Sequence, residues 1–175
     1  MEKKDCKMFE CNECNECKTV KDACKADHIR CLKYFLKKQD EYSWDEETCN
    51  TAVRSGNLDC LRFAHTHGCP WDETTCACAA SYGHLDCLMY AHENGCPWDN
   101  MSCVSASLDC LKYAHENGCT WDEYTCHNAA TLGHLDCLEY AHNKGCPWDA
   151  WMCSSAAKNG HLDCLKYAHE NGCPR

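Results

Sequence analysis

The stretch "HLDCLKYAHENGCP" fills His161–Pro174, and "LDCLKYAHENGC" fills Leu108–Cys119. Near copies begin at Leu58, Leu85 and Leu135. A segment written five times in one chain is a repeat before it is anything else. The tryptophans measure its period: Trp44, Trp71, Trp98, Trp121 and Trp148 are spaced 27, 27, 23 and 27 residues apart. Each opens a unit close to "WDExTCxxAAxxGHLDCLKYAHENGCP". Five full units follow, at 44–70, 71–97, 98–120, 121–147 and 148–174. A degenerate unit at 18–43 precedes them, with His28-Ile29-Arg30-Cys31-Leu32 in place of His84-Leu85-Asp86-Cys87-Leu88. Its many lysines suit a polar capping repeat. Residues 1–17 read as a Cys-rich tail or cap helix.

The pattern of 71–97 predicts two short helices. Asp72 is placed to cap the first by accepting from free N–H groups. Cys76, Ala79 and Ala80 form one small apolar stripe at i, i+3 and i+4. Gly83 ends that helix, because glycine enters the left-handed conformation cheaply. His84–Glu93 forms the second helix, with Leu85, Leu88 and Ala91 at buried spacing. Asn94-Gly95 ends it, and Pro97 prevents continuation. Helices this short are marginal alone, so stacking on neighbours must hold them.

Thr74-Thr75-Cys76-Ala77-Cys78-Ala79-Ala80-Ser81-Tyr82-Gly83-His84, closed by Gly95, resembles the ankyrin repeat, position by position. The likeness runs over about residues 18–174 and implies an all-α, helix-turn-helix solenoid. The period departs from the usual one of about 33 residues. The shortfall lies after the closing glycine, where ankyrin proteins carry a projecting hairpin. Only "CPWD" remains, so the hairpin loops are truncated. Short Cys-rich repeats with "AHENGCPWD" (Ala91–Asp99) are similar to those of large DNA viruses and some protists, which implies a viral source.

The chain of 175 residues has no run of 18 apolar residues, which excludes a membrane span. Its opening, "MEKKDCKMFECNEC", lacks the apolar segment of a signal peptide. The expected location is cytoplasmic, in a host cell or a virion if the source is viral. Residues 44–175 hold 7 Lys/Arg and 18 Asp/Glu, a balance of −11. Such a surface repels phosphate, so neither nucleic acid nor a membrane is an expected partner.

The chain has 22 cysteines. In the units they fall into three columns. The first-helix column is Cys49, Cys76, Cys103, Cys126 and Cys153. The second-helix column is Cys60, Cys87, Cys110, Cys137 and Cys164. The loop column is Cys69, Cys96, Cys119, Cys146 and Cys173. The helix columns read as small buried hydrophobes. Disulfides within a column are excluded by the roughly 10 Å between packed helices, while bonds between columns stay open. His-x-x-Cys pairs such as His28/Cys31 and His84/Cys87 offer two ligands each, short of a structural site. Cys6, Cys11, Cys14 and Cys17 crowd the N-terminus, and C-x2-C spacing lets thiolates share a metal. That cluster reads as a helix or tail, with a zinc site as the alternative; no other cofactor is expected.

Positions that change between units mark the recognition surface. One column runs Glu47, Thr74, Met101, Tyr124, Trp151 and grows aromatic along the chain. A second runs Asn50, Ala77, Val104, His127, Ser154. A third runs Arg54, Ser81, Thr131, Lys158. Met101, Tyr124 and Trp151, with His127, Arg54 and Lys158, are the candidate partner-binding residues. The invariant His column (His65, His92, His115, His142, His169) reads as buried and bonded to neighbouring carbonyls. The aromatic column (Phe63, Tyr90, Tyr113, Tyr140, Tyr167) reads as packed between repeats with its hydroxyls outward. No catalytic spacing or phosphate loop stands out, so no enzyme is expected. The reading is a non-catalytic protein-binding module. Its alternatives are a disulfide-bonded component of a virus particle and a zinc-binding adaptor. Self-association is expected through Leu162, Leu165 and Tyr167 of the last unit, which is written like an internal one.

Overall fold

The computed structural model describes residues 17–38, 41–104 and 107–173. Among these, eleven α-helices occur and no strand. They are α1 (Val20–Lys25), α2 (Ile29–Leu36), α3 (Glu46–Arg54), α4 (Leu58–Thr66), α5 (Glu73–Ser81), α6 (Leu85–Glu93), α7 (Leu108–Glu116), α8 (Glu123–Leu132), α9 (Leu135–Asn143), α10 (Ala150–Asn159) and α11 (Leu162–Glu170). A 3-10 turn at Asn100–Cys103 stands between α6 and α7.

Each unit starts with the same cap. The side chains of Asp45, Asp72, Asp99, Asp122 and Asp149 accept from backbone N–H groups in the first turn that follows. This satisfies donors that the helix itself leaves open, at a gain of about 1 kcal/mol each. The same residues are used a second time. The thiols of Cys69, Cys96, Cys119, Cys146 and Cys173 donate to the carbonyls of those five aspartates at 3.1–3.2 Å. A loop cysteine thus ties the end of each unit to its beginning, which an alanine could not do.

Two rows of helices stack side by side. The second helices pack in series, α2 on α4, α4 on α6, then α7, α9 and α11. Leu32, Leu61, Leu88, Leu111 and Leu138 are fully buried along this row. Each such burial contributes roughly 1.5–3 kcal/mol. The first helices pack in series from α1 through α3 and α5 to the 3-10 turn, and again from α8 to α10. Small Ala and Cys side chains let these helices approach closely.

Turn histidines lock neighbouring units. His84 Nε2 lies 3.2 Å from the Arg54 carbonyl of the unit before it. Its ring also covers Gly56, whose φ is +68°; a β-carbon there would stand 2.7 Å from the ring. Glycine is needed at that turn for both reasons.

The invariant His and aromatic columns form a ladder, which corrects the expectations of carbonyl partners and outward hydroxyls. His65 Nδ1 hydrogen-bonds the Tyr90 hydroxyl of the next unit at 3.0 Å, and the His65 ring stacks on Trp71 at 3.7 Å. The triad repeats as His92/Trp98/Tyr113, His115/Trp121/Tyr140 and His142/Trp148/Tyr167. Each triad satisfies a tyrosine hydroxyl and staples two repeats together. Tyr167 therefore faces the preceding unit rather than the outer face of the last one.

The 23-residue unit breaks the pattern. Four residues fewer leave a 3-10 turn where its first helix would be, and Ser107 caps α7 by accepting from Cys110 N–H at 3.2 Å. Val104 is extended after this turn, so the unit's first helix is reduced to a single 3-10 turn separate from α7. Here the core thins to Cys103, Ala114 and Cys119 between Trp98 and Trp121. Larger clusters lie on either side.

Candidate functional site

The N-cap aspartates orient the start of every first helix, so the residue two positions beyond each cap projects from the same edge. At that position stand Met101, Tyr124 and Trp151. Their exposures are 48%, 58% and 75%, high for large apolar side chains. They line two clefts.

The first cleft, of about 400 Å³, lies between α5 and the 3-10 turn. Arg54, Glu73, Ala77, Cys78, Tyr82 and Met101 form most of its wall. Its origin is the short unit: a lost helical turn leaves the flank of α5 uncovered. Ser81 Oγ closes the cleft's end by donating to the Val104 carbonyl at 3.2 Å. Arg54 is held in place by an ion pair with Glu47 at 2.6 Å. The second cleft, of about 330 Å³, is lined by Glu123, Tyr124, His127, Asp149 and Trp151. Both clefts therefore pair apolar or aromatic walls with carboxylates, namely Glu73 and Asp99 in one, Glu123 and Asp149 in the other. The first also carries the Arg54 guanidinium; the second, with two carboxylates and no Lys or Arg in its wall, suits an apolar side chain with a cation beside it.

Five of the six residues singled out in the sequence thus fall on cleft walls: Arg54 and Met101 on the first, Tyr124, His127 and Trp151 on the second. Lys158 is exposed on α10 and lines neither. Asn50, from the second varying column, is buried and serves the scaffold. Its amide donates to Thr74 Oγ1 at 2.9 Å and accepts from Thr75 Oγ1 at 2.8 Å, joining α3 to α5. Tyr82 was missed. Its column, Ser55, Tyr82, Leu132, Asn159, also varies from unit to unit, and both Tyr82 and Leu132 are exposed. That variation was the available signal. Of the three residues named for self-association, Leu162 is 69% exposed on α11, Leu165 is half-buried and Tyr167 is bonded to His142 of the preceding unit.

Of the N-terminal cysteines, Cys6, Cys11 and Cys14 lie outside the described residues. Cys17 is described and buried, and its Sγ lies 3.1 Å from His28 Nδ1. The column cysteines sit in the core. Burial pushes the Cys87 and Cys137 thiols up to about 12. Within units, the first-helix and loop columns meet: Cys153 and Cys173 stand Sγ to Sγ at 2.8 Å. Cys126 is held well above its ordinary value by its hydrogen bond to Cys146 and then by burial. No helix among the described residues is long and apolar enough to cross a membrane.

Comparison with known proteins agrees with this architecture. The family of ankyrin repeats (many copies) matches residues 126–169. No curated protein matches the chain. Among solved structures, the human ASB11 ankyrin repeat domain superposes with a TM-score of 0.59 at 20% identity, over 72% of this chain and 69% of that one. A chain from the complex of the predatory endopeptidase Bd0816 of Bdellovibrio bacteriovorus with immunity protein Bd3460 gives 0.60 at 12% identity, over 90% of this chain and 100% of that one. With its paired helices, turn histidines and family match, the chain is an ankyrin-like repeat protein, an all-α solenoid.

Proposed function

We propose that this solenoid is a non-catalytic binding module for another protein, engaged through the edge that carries Met101, Tyr124 and Trp151. The observation that carries the reading is Trp151, 75% exposed beside a cleft shared with Tyr124. An exposed tryptophan next to a groove is an interface anchor in waiting. The carboxylates Glu123 and Asp149 around the second cleft define the partner's chemistry. It presents bulky apolar side chains flanked by Lys or Arg. The net negative charge of residues 44–175 speeds encounter with such a partner. The human ASB11 and Bd0816–Bd3460 structures support the fold beneath this reading, and the edge residues supply the rest.

A displayed random-peptide library tests it. The wild-type protein should enrich peptides with an aromatic or aliphatic anchor beside basic residues. Tyr124→Ala with Trp151→Ala should lose that enrichment, while thermal unfolding shifts little because both side chains are exposed. Equal enrichment by the double variant would overturn the proposal.

A further inference from the structure

We propose that the N-terminal capping region holds a zinc ion through Cys17, His28 and Cys31. Among the described residues, these three alone form a cluster of His, Cys or acidic groups with metal-binding proximity. Their donor atoms all lie within 4.8 Å of one another. Tetrahedral sulfurs bound to zinc stand about 3.8 Å apart, given Zn–S bonds of about 2.3 Å, so the set needs only small side-chain adjustments. Cys17 and Cys31 are buried and His28 is half-buried, which shields the ion from water.

The repeat itself shows that this arrangement is local. His28 and His84 occupy the same register, each just before a second helix. His84 turns back to the Arg54 carbonyl and covers Gly56. The His28 ring meets a thiol instead. Cys31 belongs to the buried second-helix column, so His-x-x-Cys occurs in other units too. Only here does a further cysteine join the pair. Two thiolates and an imidazole make a soft donor set, which selects zinc over magnesium or calcium. Binding releases the proton of each thiol, and the neutral imidazole contributes its lone pair. Three protein ligands leave the fourth corner of the tetrahedron to water. A nucleophilic thiol–imidazole pair is the competing chemistry. It would need a substrate cleft at Cys17 and His28, and neither cleft described above reaches this cluster.

The site also answers a structural need. α1 has only six residues and α2 eight. Helices so short are weak nuclei, and a metal joining Cys17, three residues before α1, to the start of α2 clamps both.

The experiment uses the full chain, made in zinc-supplemented medium and purified under reductant without a metal-affinity step. Elemental analysis should find one zinc per chain. Cobalt(II) exchange should give tetrahedral d–d bands and a thiolate charge-transfer band. Cys17→Ser, His28→Ala and Cys31→Ser should each lose stoichiometric uptake. Cys153→Ser should retain it. Chelating the wild-type protein should lower hydrogen-exchange protection in α1 and α2 but not in α8–α11, a readout that needs no variant to fold. A wild-type protein that carries no zinc and takes up no cobalt would overturn the site. So would zinc retained equally by the three ligand variants, or rapid alkylation of Cys17 that added zinc does not slow.

Discussion

At the scale of single residues, the ladder of histidine, tryptophan and tyrosine explains why the units after the first keep tyrosine where the first has Phe63: each of the four hydroxyls bonds the histidine of the unit before it. His65 has its ring against Trp71 and its Nδ1 at the Tyr90 hydroxyl. Burial holds its imidazole below the ordinary 6.5 and raises the Tyr90 phenol. The folded protein therefore takes up a proton at His65 less readily than the unfolded chain. The contribution of neutral His65 is complete above pH 6.5 and is lost as pH falls from there through the folded-state value. Urea unfolding should show the wild-type protein losing more stability between about pH 7 and about pH 5 than His65→Gln does. Tyr90→Phe should cost about 1 kcal/mol near neutral pH, the net worth of one hydrogen bond. Equal pH dependence in wild type and His65→Gln would show that the ring's burial carries no protonation linkage.

At the scale of elements, the short unit stands apart. Its 3-10 turn spans four residues, against nine in α5 and ten in α8. Ser102 Oγ is buried there with no hydrogen-bond partner. The amide of Asn100 reaches across to Asp122 Oδ2 at 2.7 Å, a side-chain link where neighbouring units use helix packing. Few backbone hydrogen bonds and a thin core predict easy local opening. Hydrogen exchange should find residues 100–103 the least protected of the five unit starts. Protection matching that of 73–81 would mean that the flanking clusters hold the turn as firmly as a full helix.

At the scale of the molecule, the core is a row of clusters with its narrowest point at Cys103, Ala114 and Cys119. Contacts run only between neighbours, so stability is close to a sum of repeats and interfaces. A cavity on one side of the narrow point should be felt weakly on the other. Leu138→Ala should cost about 2–5 kcal/mol in the C-terminal cluster. Residue-resolved exchange should then show protection falling in α8–α11 and nearly unchanged in α3 and α4. A uniform loss along the chain would instead reveal a single cooperative unit.

The sequence by itself determined the helix pairs, their caps and their repeat. Those features rest on interactions within one unit, and a periodic pattern displays them directly. Asp72 as a cap, Gly83 as a stop and Cys76 as a buried stripe needed no knowledge of neighbours. The edge formed by Met101, Tyr124 and Trp151 was legible for the same reason, since a shared register places them in line. What tertiary structure decided was every partner drawn from another unit. The Tyr90 hydroxyl found His65 because adjacent repeats stack at a fixed rotation, which no single unit encodes. Asn50 looked variable and therefore exposed, yet stacking of α3 on α5 buries it. The first cleft arose from residues that are missing, and their absence matters only because α5 then lacks a cover. Cys17 and Cys31 come together with His28 at the N-terminal capping repeat, a meeting of three positions that spacing alone did not disclose.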